Sequence, residues 1–170
     1  MSDNALTARH DISAAARPRA FDTIVYGGLL IALLDGIFAF VFYGLILGVP
    51  TLRIFQSVAS GLLGRAAFDG GVRTFILGIL LHILVATCIA EVYYLLSSRT
   101  PLLIRQAVIC GLLYGLIAYL VMYYVVIPLS AVPPRRFSWL SFLPAFIAHA
   151  FLVGLPVALV ARWSAGKGRK

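Results

Sequence analysis

The chain has 170 residues, 62% of them hydrophobic and 12% charged, and its mean hydropathy is +1.00. Soluble domains average ~45–50% apolar and ~25% charged residues, so an ordinary soluble fold is excluded. The net charge of +8 does not point to nucleic acid. The Lys and Arg residues lie mostly between apolar runs, where they suit anionic headgroups and orientation signals.

Residues 1–23 are polar and are expected to form a short cytoplasmic tail, because the apolar run that follows is too long for a signal-peptide core. That run, residues 24–48, reads IVYGGLLIALLDGIFAFVFYGLILG. It exceeds the ~20 mainly apolar residues that a membrane-crossing helix needs. Asp35 stands almost at its middle, where an ionisable group costs at least ~2.5–3.5 kcal/mol and so needs a reason to be there. Gly28, Ala32, Gly36, Gly44 and Gly48 fall at four-residue multiples, a spacing that lets another helix backbone approach closely.

Residues 51–68 are too polar to cross a membrane alone. At 100° per residue Arg53, Gln56, Ser57, Ser60 and Gly64 share one narrow face, opposite Leu52, Phe55, Val58, Ala59, Leu62 and Ala66. The expectation is an amphipathic helix lying in the membrane interface with its polar face outward. Asp69-Gly70-Gly71 ends it with turn residues.

A second span is expected over 72–97, with His82 and Glu91 on opposite faces. The short SSRTP loop makes the third span, 102–127, its antiparallel neighbour. The third span carries Gly111-x-x-x-Gly115 and the tyrosines Tyr114, Tyr119, Tyr123 and Tyr124. A proline-rich loop leads to the fourth span, 141–162, with His149, Pro156 and another small-residue repeat at Ala150, Gly154 and Ala158. Pro156 removes the hydrogen bond to the Leu152 carbonyl, so a kink is expected there. Residues 163–170 read as a basic tail with an interfacial Trp163. Cys88 and Cys110 form no metal-ligand spacing and read as small buried hydrophobes. Both lysines, Lys167 and Lys170, are in the tail, which leaves none within the spans for a Schiff base or a phosphate loop.

The positive-inside rule then sets orientation. With the N-terminus inside, nine Lys and Arg residues fall on the inner side and five on the outer, so both termini are expected in the cytoplasm.

Depth selects the candidate site. His82 and His149 each stand about three residues before the middle of helices running outside to inside, ~4–5 Å from centre at 1.5 Å per residue. Tyr119 reaches a similar depth from the opposite direction. One carboxylate, two imidazoles and a phenol could therefore meet in one layer: Asp35, His82, Tyr119 and His149. The plain reading of this layer is a hydrogen-bonded network that fixes helix packing. Three functional readings compete with it. Asp35 with His82 could bind or relay a proton or cation. His82 and His149 could be axial ligands of a b-type haem. Two His and one Asp could bind a metal, although no HExxH spacing is present. A serine hydrolase lacks its GxSxG elbow. Nearer the inner side, Glu91 and Arg105 face each other across a short loop and are expected to form a structural ion pair, with Tyr93 and Tyr94 in an interfacial aromatic belt.

The phrases LLDGIFAFVFYGLILGVP, RIFQSVASGLLGRAAFDGG, LGILLHILVATCIAEVYYLLS and VVIPLSAVPP together resemble a bacterial inner-membrane family of small four-span proteins of unknown function. The resemblance covers most of residues 27–160. It implies a four-helix membrane architecture and carries no activity, ligand or catalytic residue. The expected fold is all-α: a polytopic membrane protein with four spans and one interfacial helix between the first two. The expected role is that of a structural or accessory subunit in the bacterial cytoplasmic membrane, with no cofactor and with a homo-oligomer built on the small-residue faces. A small transporter centred on Asp35 comes second and a haem protein third.

Overall fold

A computed structural model describes residues 17–134 and 136–167. Most of the expected cytoplasmic tail, together with Arg135 and the last three residues, lies outside the described residues. The described chain is all helical, without strands. Four helices are long and apolar enough to cross a membrane: α1 (Asp22–Ile46), α3 (Gly71–Arg99), α5 (Ala107–Leu129) and α6 (Trp139–Lys167). Shorter ones lie between them, α2 (Thr51–Leu63), which runs into a 3-10 turn at Gly64–Phe68, and α4 (Pro101–Arg105).

Side-chain size is distributed the opposite way to a water-soluble bundle. The buried core is dominated by alanine, including Ala32, Ala86, Ala90, Ala118, Ala158 and Ala161. Large apolar residues form outward stripes at four-residue spacing: Leu29, Leu33 and Ile37 on α1, Ile76, Leu80 and Leu84 on α3, and Ile109, Leu113 and Ile117 on α5. A soluble protein does not leave such contiguous apolar stripes uncovered. In lipid, small residues at the seams and large ones outside are the favoured arrangement, because close backbone approach drives helix association there.

The seams are antiparallel. Gly28 of α1 meets Thr87 of α3, where an added Cβ would stand 2.8 Å from the Thr87 Cα. Gly111 of α5 meets Ala158 of α6 at 2.7 Å by the same measure, and Gly115 meets the His149 carbonyl. Gly28, Gly111, Gly115 and Gly154 of the small-residue faces are thus occupied within the chain. Tyr93 and Tyr114 close the α3–α5 seam with rings 5.0 Å apart. Tyr93 donates to the Leu103 carbonyl at 3.1 Å and Tyr114 to the Ile89 carbonyl at 2.6 Å. Tyr93 is fully buried, so it belongs to the core and not to an interfacial belt. Its hydroxyl finds a partner only because α4 folds back over it.

The first and last helices run further than hydropathy suggests. Asp22 and Thr23 are buried, and so is Ser164. Thr23 Oγ1 and Ser164 Oγ share a hydrogen bond of 3.2 Å, the Arg19 amide donates to Ser164 Oγ at 3.1 Å, and Lys167 Nζ stands 3.8 Å from Asp22. These hydrogen bonds and ion-pair contacts latch the start of α1 to the end of α6, and α6 continues through the segment expected to be a tail. Pro156 follows a stretch of wide, i+5-bonded turns from His149 to Gly154, which absorb the hydrogen bond that proline cannot make.

Helix α2 lies across the end of the bundle away from the latch. Ile54 approaches Gly44 of α1, Gln56 donates to the Gly71 carbonyl and to Thr74 Oγ1 of α3, and the Ala131 amide beyond α5 donates to the Gly61 carbonyl. Its facing departs from the expectation at Gln56, Ser60 and Leu62, while Arg53 is exposed and Ala59 buried as expected. Gln56 and Ser60 are buried at 1% and 0% exposure, while Leu62 is 64% exposed. The amphipathic reading assumed water outside and an apolar interior. Here the inner contacts include backbone carbonyls and Thr74, which accept the polar face, and the leucines turn outward.

Candidate functional site

Three of the four candidate residues meet directly. Asp35 of α1 faces His149 of α6, Oδ1 to Nδ1 3.9 Å, each side chain about one-fifth exposed or less. That distance is an ion-pair contact and too long for a hydrogen bond. Tyr119 of α5 packs its ring against His149 with centroids 4.9 Å apart and continues into Phe142 and Phe146. His82 of α3 meets α1 one turn earlier, its Nε2 3.0 Å from the Ala32 carbonyl. Phe55 of α2 lies edge-on to the same imidazole at 5.9 Å. The layer therefore joins all four long helices, with α1 touched by both imidazoles.

The hydrogen bonds assign the tautomers. A carbonyl oxygen only accepts, so the ring nitrogen facing it carries a proton. His82 is protonated on Nε2, and His149 on Nδ1, which donates to the Ala145 carbonyl at 2.9 Å one turn back. A carboxylate deep among apolar helices needs a polar partner, since a lone charge there is expensive, and the His149 imidazole stands beside it.

His82 and His149 differ in what they hold. Coordinating an iron through Nε2 of His82 would require giving up its bond to Ala32. Among the described residues no three His, Cys, Asp or Glu side chains converge as a metal-binding set, so Asp35, His82 and His149 are not gathered around one point.

The expected Glu91–Arg105 pair is not formed. Both residues are exposed, and the ion pairs among the described residues are those of Asp22 and Asp35. The reason is a break in the helix. Arg105 ends α4, Gln106 leaves helical geometry at φ −104 and ψ 43, and α5 starts afresh at Ala107. Glu91 instead shares the outward stripe of α3 with Leu84, Cys88 and Val92. The polar residues that sequence reasoning missed are Asp22, Thr23 and Ser164. Their signal was the pairing of one buried acid near the chain start with a serine and a lysine near its end, which no local pattern displays.

No protein-family model, no curated protein and no solved structure matches this chain.

Proposed function

We propose that the chain is a polytopic integral membrane protein of the bacterial cytoplasmic membrane, acting as a structural or accessory subunit. The observation that supports this best is the inverted size distribution, alanine and glycine inside and leucine and isoleucine outside, which suits lipid and not water. The layer of Asp35, His82, Tyr119 and His149 then serves packing. It ties α1 to α3 through His82 and to α6 through the Asp35–His149 contact. The Lys and Arg distribution favours termini in the cytoplasm. The wording of four apolar segments favours the four-span family named above.

One specific contact favours a second reading. The partner of Asp35 is itself titratable, so the Asp35–His149 pair could gain or lose a proton in the middle of the membrane. That is the chemistry of a small proton- or cation-coupled protein.

Asp35→Asn separates the two. An amide keeps the shape but cannot titrate. The packing role predicts that the variant folds, with a stability change of about 1 kcal/mol, and that wild-type proteoliposomes take up protons no faster than empty vesicles. Proton uptake by the wild type that Asp35→Asn abolishes, at unchanged folded yield, would replace the first reading with the second.

A further inference from the structure

We infer that the α1–α6 face is a binding site for one anionic phospholipid. The inference rests on the chain being membrane-embedded. Two contiguous features define the site. An apolar groove runs between the helices, lined by Leu30 and Leu34 of α1 and by Leu155, Leu159 and Val160 of α6, and it ends at Trp163. There it opens into a basic depression formed by Leu159, Arg162, Trp163, Gly166 and Lys167. Leu159 and Trp163 belong to both.

The chemistry of the two parts is that of an amphiphile with a negative head. Arg162 is exposed and has no ion-pair or hydrogen-bond partner among the described residues. Lys167 stands 3.5 Å above the Trp163 ring, and its charge is shared with Asp22, which also faces Arg19 at 3.7 Å. Arg19 and Lys167 thus share the single carboxylate of Asp22, and Arg162 lines the same depression as Lys167 without a partner among the described residues, an excess of positive charge that a lipid phosphate would neutralise. Trp163 sits where an amphipathic ring marks the headgroup level, with Tyr26 6.5 Å away. From Trp163 to Leu155 is eight residues, about 12 Å along the helix. One leaflet of the hydrocarbon core is about 15 Å deep, half of ~30 Å. An acyl chain from a headgroup at Arg162 therefore lies along the groove at the correct depth. Free phosphate would satisfy the cations and leave the groove empty, so the occupant is the lipid.

The chain has two tryptophans, and Trp139→Phe leaves Trp163 as the sole reporter. The protein is reconstituted in phosphatidylcholine vesicles containing increasing fractions of brominated-chain phosphatidylglycerol or, separately, brominated-chain phosphatidylcholine. Trp163 fluorescence should be quenched by the anionic lipid at a mole fraction about fivefold lower than by the zwitterionic one, the preference expected of one basic side chain near the surface. Arg162→Gln, which removes no described contact, should bring the two curves together. Equal quenching of the wild type by both lipids, or a preference that survives Arg162→Gln, overturns the site while leaving the membrane reading intact. Absence of quenching by either lipid overturns both.

Discussion

Gly154→Ala is expected to prevent assembly of the α5–α6 pair. The added methyl group would fall on the Gly111 carbonyl oxygen and on the backbone of Gly115, and none of these atoms belongs to a side chain that can rotate away. Overpacking in a core costs ~1–3 kcal/mol and occasionally more, and a clash with fixed backbone belongs at the top of that range. At least ~3 kcal/mol is a large share of the ~5–15 kcal/mol that holds a typical protein. The loss should appear as a collapse of folded yield in size-exclusion chromatography and a lower midpoint in thermal unfolding in detergent. Gly166→Ala is the control on the same helix. A Cβ there meets nothing within 4 Å, so the change should be neutral or stabilising by up to about 1 kcal/mol through helix propensity. Wild-type stability of Gly154→Ala would mean that the two helices are not packed backbone to backbone.

Gly78→Ala is expected to push α2 off α3. A methyl group at this position would overlap the Phe55 carbonyl, and α2 is the element free to move. The substitution improves the helix propensity of α3 by about 1 kcal/mol, so any loosening runs against the local preference. Labelling of cysteines at Gln56 and Ser60, in a background lacking Cys88 and Cys110, reads the outcome. Both positions are buried and should resist polar thiol reagents in the parent and react several times faster in Gly78→Ala. Continued protection at both positions, with a raised melting midpoint, would show that α2 does not cross α3 at Gly78.

The four long helices were legible because lipid imposes a crude and local rule: about twenty apolar residues in a row. The ends were not. Asp22 and Thr23 look like tail residues until Ser164 and Lys167, more than 140 positions away, supply their partners. The break at Gln106 was not legible either, since the apolar residues on both sides of Arg105 and Gln106 continue one helical run, and with it went the Glu91–Arg105 pair. Helix α2 was legible as amphipathic, but which face turns inward depends on whether the outside is water or lipid. Gln56 settles inside because the Gly71 carbonyl and Thr74 await it. For the candidate layer, counting along helices gave depth. It could not give rotation, so the sequence alone left open whether His82 or His149 faces Asp35. The small-residue repeats announced close contacts without saying that their partners lie in the same chain.

The arrangement of four long helices, with the start of α1 beside the end of α6, makes the most direct test one of sidedness. Reporter fusions or accessible cysteines after residue 98 and at residue 170 should report the cytoplasm, and those near residue 60 and residue 134 should report the outside. A cytoplasmic signal at residue 134 would contradict the four-span bundle or its orientation, and opposite sides for residues 98 and 170 would contradict the bundle itself.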